Sequence, residues 1–307
     1  MEIREFQGKD AKTILNLWNL AHPQYPLTEE LLAKKIFLDP NFLPENLLIA
    51  EEDGKVVAFA YLPCHLSNPQ GDGFITYFSV HPQKDKTATA KALLQACEQH
   101  HKQAGRRRVS TAYTPLYHLQ GFSERYDSAE IELFRSFGYS EMRSFRRRMS
   151  LTDYSLPLNY AQRKADLEAE GFYIGPLPYE YLSEFVSPTN AYSSPAWASE
   201  YRTRLANNPD LSKAGVAIYE GRIVGGCIFS DPNSDDCRFG PFGVSAEYRG
   251  KGLGAVLFAW CMDEMKKRAL PCAWAQWTPA EGAAYNLYEN TGFEIEDSFL
   301  VFSKELD

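Results

Sequence analysis

Residues 242–255 read FGVSAEYRGKGLGA, and this stretch decides the fold. A hydrophobic strand ends here, a short loop follows, and three glycines stand where a helix begins. The first turn of a helix has unpaired backbone N–H groups, and the helix dipole adds roughly half a positive charge at that end. Because Gly250, Gly252 and Gly254 have no Cβ to block the approach, and Arg249 adds a forked set of donors, the stretch predicts a binding site for a diphosphate group.

The loop by itself fits more than one motif. A P-loop requires Gly-Lys followed by Ser or Thr, but Gly254 is followed by Ala255 and Val256, so this motif is excluded. A dinucleotide-binding fingerprint, G-x-G-x-x-[GA], does match residues 250–255. That fingerprint also needs an acidic residue at the end of the next strand, which here ends in Trp277 and Thr278. A glycine-rich turn without a ligand is the remaining structural alternative.

A second motif follows at residues 284–293, AYNLYENTGF. Together with Arg249, Gly252 and Gly254 it resembles the GNAT family of N-acetyltransferases, which combine an R/Q-x-x-G-x-G/A loop with an A-x-x-L-Y-E-x-x-G-F helix and turn. The resemblance covers nearly all of residues 172–304. It implies an α+β fold in which a twisted, mixed and largely antiparallel sheet is flanked by helices.

The chain carries this pattern twice. Residues 47–61, LLIAEEDGKVVAFAY, reappear as residues 214–228, AGVAIYEGRIVGGCI, and the order and spacing of later features also hold. A repeat of this length indicates a duplicated domain. We therefore predict two tandem GNAT-like domains, a degenerate N-terminal one at 1–151 and a C-terminal one at 171–307, joined by a polar, partly helical connection at 152–170.

The first copy lacks the residues that the second copy has for coenzyme binding. Asp85 stands where the second copy has Arg249, and Lys86, Ala88 and Ala90 replace the three glycines. An acidic residue would repel a diphosphate, and the added Cβ atoms would crowd it. Phe134 stands at the position of Tyr288, so a hydroxyl is missing as well. The sequence therefore predicts no productive acetyl-CoA binding in the first copy.

The resemblance implies acetyl-CoA as cosubstrate, without a metal, and assigns the residues that hold it. Phe242 and Val244 would offer backbone groups to the pantetheine arm and to the thioester carbonyl. The pyrophosphate would be held by the loop residues Arg249, Gly250, Lys251, Gly252, Leu253 and Gly254.

Direct attack by an amine needs a base and a proton donor. Tyr288, at the tyrosine position of the family motif, is the candidate acid for the leaving thiolate. A packed aromatic residue is the structural alternative for it. The candidate bases are Glu281, Asp236 and Glu247. Glu281 occupies a position where the family often has Asn, so it is either a lost cofactor contact or a residue reassigned to the substrate.

Composition and charge limit the classes of partner. The chain has 307 residues, a formal net charge of −8 and 44% hydrophobic residues, and it contains no apolar run long enough to cross a bilayer. Residues 151–307 carry 13 Lys and Arg against 22 Asp and Glu, so a nucleic-acid partner is disfavoured. The six cysteines form no C-x-x-C pair and are predicted to be buried thiols rather than disulfides or metal ligands. We expect a cytoplasmic protein.

Two functions from different classes stay open at this point. The first is an acetyl-CoA-dependent N-acetyltransferase acting on a small-molecule or peptide amine, with its active site in the C-terminal domain, either as a monomer or as a homodimer. The second is a non-catalytic protein that binds or senses an acyl-CoA or a small amine. A longer acyl chain or another acceptor is a variant of the first, and the aromatic residues Tyr192, Trp197, Tyr201, Trp274 and Trp277 either line its acceptor pocket or pack in the core.

Overall fold

The computed structural model describes residues 1–66, 68, 70–83, 86–113, 118–207, 209–232, 235–279 and 281–306. These residues form two compact units. The first unit consists of Met1–Ser144 and Asp297–Asp307, and the second of Phe145–Glu296. Each unit therefore contains the end of a strand that begins in the other half of the sequence.

The first unit has an antiparallel sheet with helices packed on it. Its strands are β1 (Glu2–Glu5), β2 (Leu47–Glu52), β3 (Lys55–Tyr61), β4 (Gly73–Phe74), β5 (Thr76–Val80), β6 (Arg108–Ser110), β7 (Phe122–Ser123) and the start of β8 (Ser140–Ser150). Its helices are α1 (Ala11–Ala21), α2 (Glu29–Leu32), α3 (Lys86–Gln103) and α4 (Ser128–Ser136). Strands β1, β2, β3 and β5 lie side by side in that order. Strand β4 instead pairs in parallel with β6, so the chain leaves one sheet for the other at Ile75.

The second unit repeats this arrangement. Its helices are α5 (Tyr160–Ala169), α6 (Leu182–Phe185), α7 (Pro195–Asn207), α8 (Leu253–Lys267) and α9 (Gly282–Asn290). Its strands are β9 (Tyr173–Pro176), β10 (Ala214–Tyr219), β11 (Arg222–Phe229), β12 (Phe239–Val244), β13 (Cys272–Thr278) and the start of β14 (Glu294–Glu305). Strands β9 to β12 form an antiparallel sheet. Strand β13 pairs with the Phe145–Ser150 end of β8.

The repeated stretches 47–61 and 214–228 both form hairpins, and the two hairpins have the same turn. Asp53 and Gly54 between β2 and β3, and Glu220 and Gly221 between β10 and β11, all have positive φ angles. Two successive positive φ angles are typical of the type I′ turn, whose twist matches that of the strands on either side. Each hairpin also has a register shift, where the second strand has one extra residue, Val57 in β3 and Val224 in β11, so the duplication extends to backbone detail.

Each unit has its own apolar core between sheet and helices. In the second unit the sheet-facing side of α8 buries Leu257, Phe258, Cys261, Met262 and Met265 completely or almost so. Burial of such side chains contributes about 1.5–3 kcal/mol each, which holds α8 against β10, β11 and β12.

The predicted connection at 152–170 is partly helical. Helix α5 packs on α8 within the second unit, and Leu167 joins its core. All six cysteines are buried and free. Within the described part of the chain, no helix has the length and apolar character needed to cross a membrane.

Candidate active site

Strands β12 and β13 of the second unit separate after a single point of contact. Arg238 forms an isolated parallel bridge with Trp274, and the Trp274 N–H donates to the Cys237 carbonyl at 3.0 Å. Beyond this point β12 pairs with β11 and β13 pairs with β8. The backbone edge of β12 is therefore left facing a gap, as the family resemblance implies.

A cleft of about 550 Å³ lies beside this gap and brings the two sequence motifs together. It is lined by residues of β12, the glycine loop, the start of α9 and the segment before α7, namely Tyr192, Trp197, Phe242, Gly243, Val244, Tyr248, Arg249, Gly250, Gly252, Leu253, Gly254, Ala255, Glu281, Ala283, Ala284 and Leu287. Every residue predicted to bind acetyl-CoA, with the exception of Lys251, is among them. Lys251 instead lies 3.6 Å from Glu170 of the segment after α5.

The glycine loop has a backbone that ordinary side chains would strain. Gly250 and Gly252 have φ angles of +81° and +82°, and Gly252 is the N-cap of α8. The first helical hydrogen bond runs from the Val256 N–H to the Gly252 carbonyl, so the preceding N–H groups of the first turn have no partner inside the helix. The Arg249 Nε donates to the Val244 carbonyl at 3.2 Å, which ties the loop to the end of β12.

The residues present fit a coenzyme A diphosphate. The Arg163 guanidinium lies directly beside Gly252 at the start of α8, where an added Cβ would overlap its Nη1. At Gly254 an added Cβ would make only ordinary contacts of 3.6 Å with Phe242 and Val244. The free N–H groups, the helix dipole and the nearby guanidinium groups are the donors that a diphosphate requires.

Arg163 lies beside the glycine loop, and the sequence analysis did not single it out. It lies on α5, in the segment interpreted as a connection between domains, and its guanidinium reaches the glycine at the N-cap of α8. The useful signal would have been an amphipathic helix with a basic residue directly before the second copy. Only the packing of α5 on α8 shows that this basic residue belongs to the loop.

The three candidate bases lie in different surroundings. Glu281 lines the cleft as the N-cap of α9 and is exposed to solvent. Asp236 accepts a hydrogen bond from Ser230 and lies 3.6 Å from Lys213, outside the cleft lining. Glu247 is in the short turn after β12, where its neighbour Tyr248 lines the cleft. Glu281 is therefore the one carboxylate among the described residues that line the cleft.

Tyr288 lies one layer behind the cleft wall formed by Ala284 and Leu287. Its ring packs edge-on against Phe293, at a centroid distance of 5.1 Å, and against Phe258, at 6.3 Å. Burial raises the pKa of the phenol well above its usual range, and the positive charges of Arg238 and Arg147 oppose this rise. The hydroxyl group is therefore protonated at neutral pH, and burial makes it a weaker acid than an exposed tyrosine.

Aromatic residues divide between the cleft and the core. Tyr192 and Trp197 line the cleft, and they approach β12 so closely that a Cβ at Gly243 would lie 2.8 Å from the Trp197 ring. Tyr201 is completely buried against Phe185, at a centroid distance of 4.4 Å. Trp274 lies between the guanidinium groups of Arg146 and Arg238, each about 5.0 Å from its ring.

The equivalent cleft of the first unit has an acidic lining. It is lined by Val80, Thr87, Ala90, Lys91, Ala129, Glu130, Glu132, Leu133 and Ser136, so Glu130 replaces the small Ala284 of the second unit. Phe134, at the position of Tyr288, is completely buried. Asp85 lies outside the described residues. Carboxylates in this cleft would repel a diphosphate.

The family and structural comparisons agree with this geometry. The Acetyltransferase (GNAT) family model matches residues 12–122 and 179–293, one match for each copy. A search of curated proteins finds no match. Many solved structures match the chain, and they show the fold.

Three of these structures have TM-scores between 0.66 and 0.83. The glucosamine N-acetyltransferase region of a fungal multi-domain β-N-acetylglucosaminidase matches 99% of this chain with a TM-score of 0.83 and 16% identity, and this chain covers only 38% of that one. An N-acetyltransferase from Sphaerobacter thermophilus matches 99% of this chain and 95% of its own, with a TM-score of 0.71 and 17% identity. A tandem GNAT protein from the clavulanic acid biosynthesis pathway matches all of this chain and 98% of its own, with a TM-score of 0.66 and 14% identity. With both copies matched by one family and both units sharing its split sheet, the chain belongs to the GNAT acetyltransferase family as a tandem member.

Proposed function

We propose that the protein is an acetyl-CoA-dependent N-acetyltransferase with one active site, in the second unit. The observation that carries this proposal is the single cleft in which the glycine loop, the open edge of β12 and the start of α9 meet. The acidic lining of the equivalent cleft in the first unit supports a single site.

Bound acetyl-CoA would supply an activated acyl group. The N–H groups at the start of α8, with Arg249 and Arg163, hold the diphosphate and fix the position of the arm. The edge of β12 between Phe242 and Val244 offers backbone donors to the acyl carbonyl, where negative charge develops during attack. Tyr192 and Trp197 exclude water from the acceptor end of the cleft.

The acceptor must lose a proton before it can attack. An alkylammonium has a pKa of about 10.4, so its deprotonation at pH 7 costs roughly 4–5 kcal/mol. Glu281 takes this proton directly or through a water molecule, because it is the carboxylate at the cleft. Tyr288 gives a proton to the leaving thiolate, which requires a small movement of α9 since its ring lies behind the wall.

The acceptor to test first is an amino sugar. One of the similar structures is described as a glucosamine N-acetyltransferase region, although an identity of 16% shows the fold alone. The cleft itself, with aromatic residues and a carboxylate, suits a small polar molecule that carries one ammonium group. Glucosamine, a polyamine and a short peptide therefore form the first acceptor panel, with released CoA as the readout.

Calorimetric titration with acetyl-CoA tests the site. We expect one molecule bound per chain, and Gly252→Glu should abolish binding because it strains the N-cap and places a carboxylate at the diphosphate position. Gly221→Glu is the matched control, since Gly221 has a φ of +73° in the β10–β11 turn away from the cleft. Unchanged binding in the Gly252 variant, or two molecules per chain, would contradict the proposal.

A non-catalytic binding protein is the second candidate. The observation that favours it is the burial of Tyr288, which does not line the cleft. Tight acetyl-CoA binding without CoA release for any amine in a broad panel would support this candidate and leave the binding site itself intact.

A further inference from the structure

The first unit contains a second cavity, which lies between the end of helix α1 and strand β5. Its volume is about 40 Å³, and it lies apart from the acidic cleft described above. Its walls come from α1, β5, the end of β6 and the segment before α4. The fold thus retains a pocket in the copy that lacks the glycine loop.

The pocket contains buried polar groups without hydrogen-bond partners. His22 and Tyr77 line it, and they are only 4% and 7% exposed. His22 Nε2 and the Tyr77 hydroxyl have no hydrogen-bond partner among the described residues. An unpaired buried polar group costs about 1–3 kcal/mol, so these groups indicate a ligand that completes them.

A buried carboxylate sets the charge of the pocket. Asp127 is 2% exposed, and its Oδ2 accepts the Ser123 N–H at 2.7 Å, while its Oδ1 lies 3.5 Å from His22 Nδ1. Among the described residues that line the pocket there is no lysine or arginine. In the tautomer with its proton on Nδ1, the His22 ring turns its donor towards Asp127 and presents Nε2 as an acceptor.

The remaining walls favour a cation. The rings of Trp18 and Tyr77 meet at a centroid distance of 5.2 Å, and His22 packs on Trp18 at 4.3 Å. Aromatic faces attract ammonium groups, and the attraction increases when water is excluded. We propose that this pocket binds a small primary ammonium ion, held by Asp127 and by acceptor atoms of His22 and Tyr77.

Volume limits the size of the ligand. One water-sized position occupies about 10–15 Å³, so the pocket of about 40 Å³ holds roughly three non-hydrogen atoms. Ethylammonium has this size and serves as the probe. Asp127 is the N-cap residue of α4, as Glu281 is of α9, so the two units present a carboxylate at corresponding positions.

The test is fluorine NMR of the full-length protein labelled with 5-fluorotryptophan. Trp18 lines the pocket, and Trp197 lines the cleft of the second unit, so the two resonances report on the two sites separately. We expect ethylammonium chloride to shift the Trp18 resonance with saturation in the millimolar range, about 1–10 mM. Trp18→Phe assigns the resonance. Ethanol and acetate at the same concentrations should cause no saturable shift.

Two variants test the residues that hold the ion. Asp127→Asn should weaken ethylammonium binding by at least about tenfold, because it removes the charge and keeps the size. Tyr77→Phe removes only a hydroxyl without a partner, so it should fold normally and weaken binding severalfold. Tyr139→Phe is the control, since Tyr139 is also buried in the first unit but does not line the pocket.

Several results would overturn the inference. These are the absence of a saturable Trp18 shift up to about 100 mM ethylammonium, an equal shift with ethanol or acetate, and unchanged affinity in both the Asp127 and the Tyr77 variants. The outcome is independent of acetyl-CoA binding, which the calorimetric experiment measures at the second unit.

Discussion

Gly252 begins helix α8 with a positive φ angle, a conformation that side chains with a Cβ rarely adopt. Its function follows from that geometry, since the open helix end is where a diphosphate can approach backbone N–H groups. Gly254 differs, because it has room for a Cβ and no special φ angle. The three glycines of the motif are therefore not equivalent, and Gly252 is the residue that substitution should affect most.

The proposed role of Tyr288 depends on its hydroxyl oxygen, which a single substitution removes. Tyr288→Phe should lower kcat by about a hundredfold and leave acetyl-CoA affinity and the melting temperature nearly unchanged, because only a proton donor is removed. Steady-state kinetics and calorimetry measure both quantities. Tyr285→Phe, one turn earlier on α9, is the control. Full activity in the Tyr288 variant would show that the buried phenol is only a packing residue.

Helices α5 and α8 together form the proposed coenzyme site. Helix α8 supplies the N–H groups, and α5 carries Arg163 to the same end. The sequence predicts α8 well, because its apolar side has a helical period and its start has glycines. It does not predict the role of α5, because nothing local records which helix end a polar helix will approach.

Arg163 provides a test of that pairing. Arg163→Glu should weaken acetyl-CoA binding by about tenfold, and the loss should shrink as salt is added, because exposed charges are screened. The matched control is Lys164→Glu, the same charge change on the next residue, whose ammonium group pairs with Glu168. Equal losses in both variants would mean that only the overall charge of the helix matters.

The end of helix α3 contains a pH-sensitive residue. His101 Nε2 donates to the Phe74 carbonyl at 2.8 Å, and burial lowers the pKa of His101 to about 4. The neighbouring charges of His100 and Arg106 lower it further, against the favourable hydrogen bond. Because the folded state resists protonation, the stabilisation is complete above about pH 6.5, the ordinary histidine pKa, and is lost as the pH falls towards 4.

Because the pKa of His101 is lower in the folded state, the first unit should become measurably less stable as the pH falls. Between pH 7 and pH 5 the first unit should lose about 2 kcal/mol from His101 alone, which corresponds to roughly 4–8 °C in melting temperature. His101→Gln keeps a donor for Phe74 and should remove most of this dependence. His100→Gln, at a half-buried position with a smaller shift, should remove little of it. An unchanged pH dependence in the His101 variant would contradict the assignment.

At the scale of the whole molecule, the two units do not follow the order of the chain. Phe145 and the residues after it belong to the second unit, and Asp297 and the residues after it belong to the first. The segment that each unit takes from the other half of the sequence contributes buried residues to that unit. Arg147, Met149 and Leu151 lie inside the second, and Leu300 and Phe302 lie in the core of the first.

Fragments should therefore behave differently depending on where they are cut. A fragment of residues 145–296 should fold and bind acetyl-CoA, whereas a fragment of residues 171–307 should be unstable, because β13 loses its partner strand and α8 loses α5. Circular dichroism and calorimetry of both fragments measure this. A stable, acetyl-CoA-binding 171–307 fragment would show that β8 and α5 are dispensable for the site.

The sequence by itself determined the family fold, the duplication, the loop that meets the cleft and the loss of that loop in the first copy. These features can be predicted from the sequence because glycines, turn residues and periodic apolar positions affect the conformation of their immediate neighbours. Only the tertiary structure decided that Arg163 reaches the loop, that Tyr288 lies behind the cleft wall, that each unit takes in the end of a strand from the other half, and that His22, Tyr77 and Asp127 share a pocket. Those outcomes depend on packing between residues far apart in the chain, which no local pattern encodes.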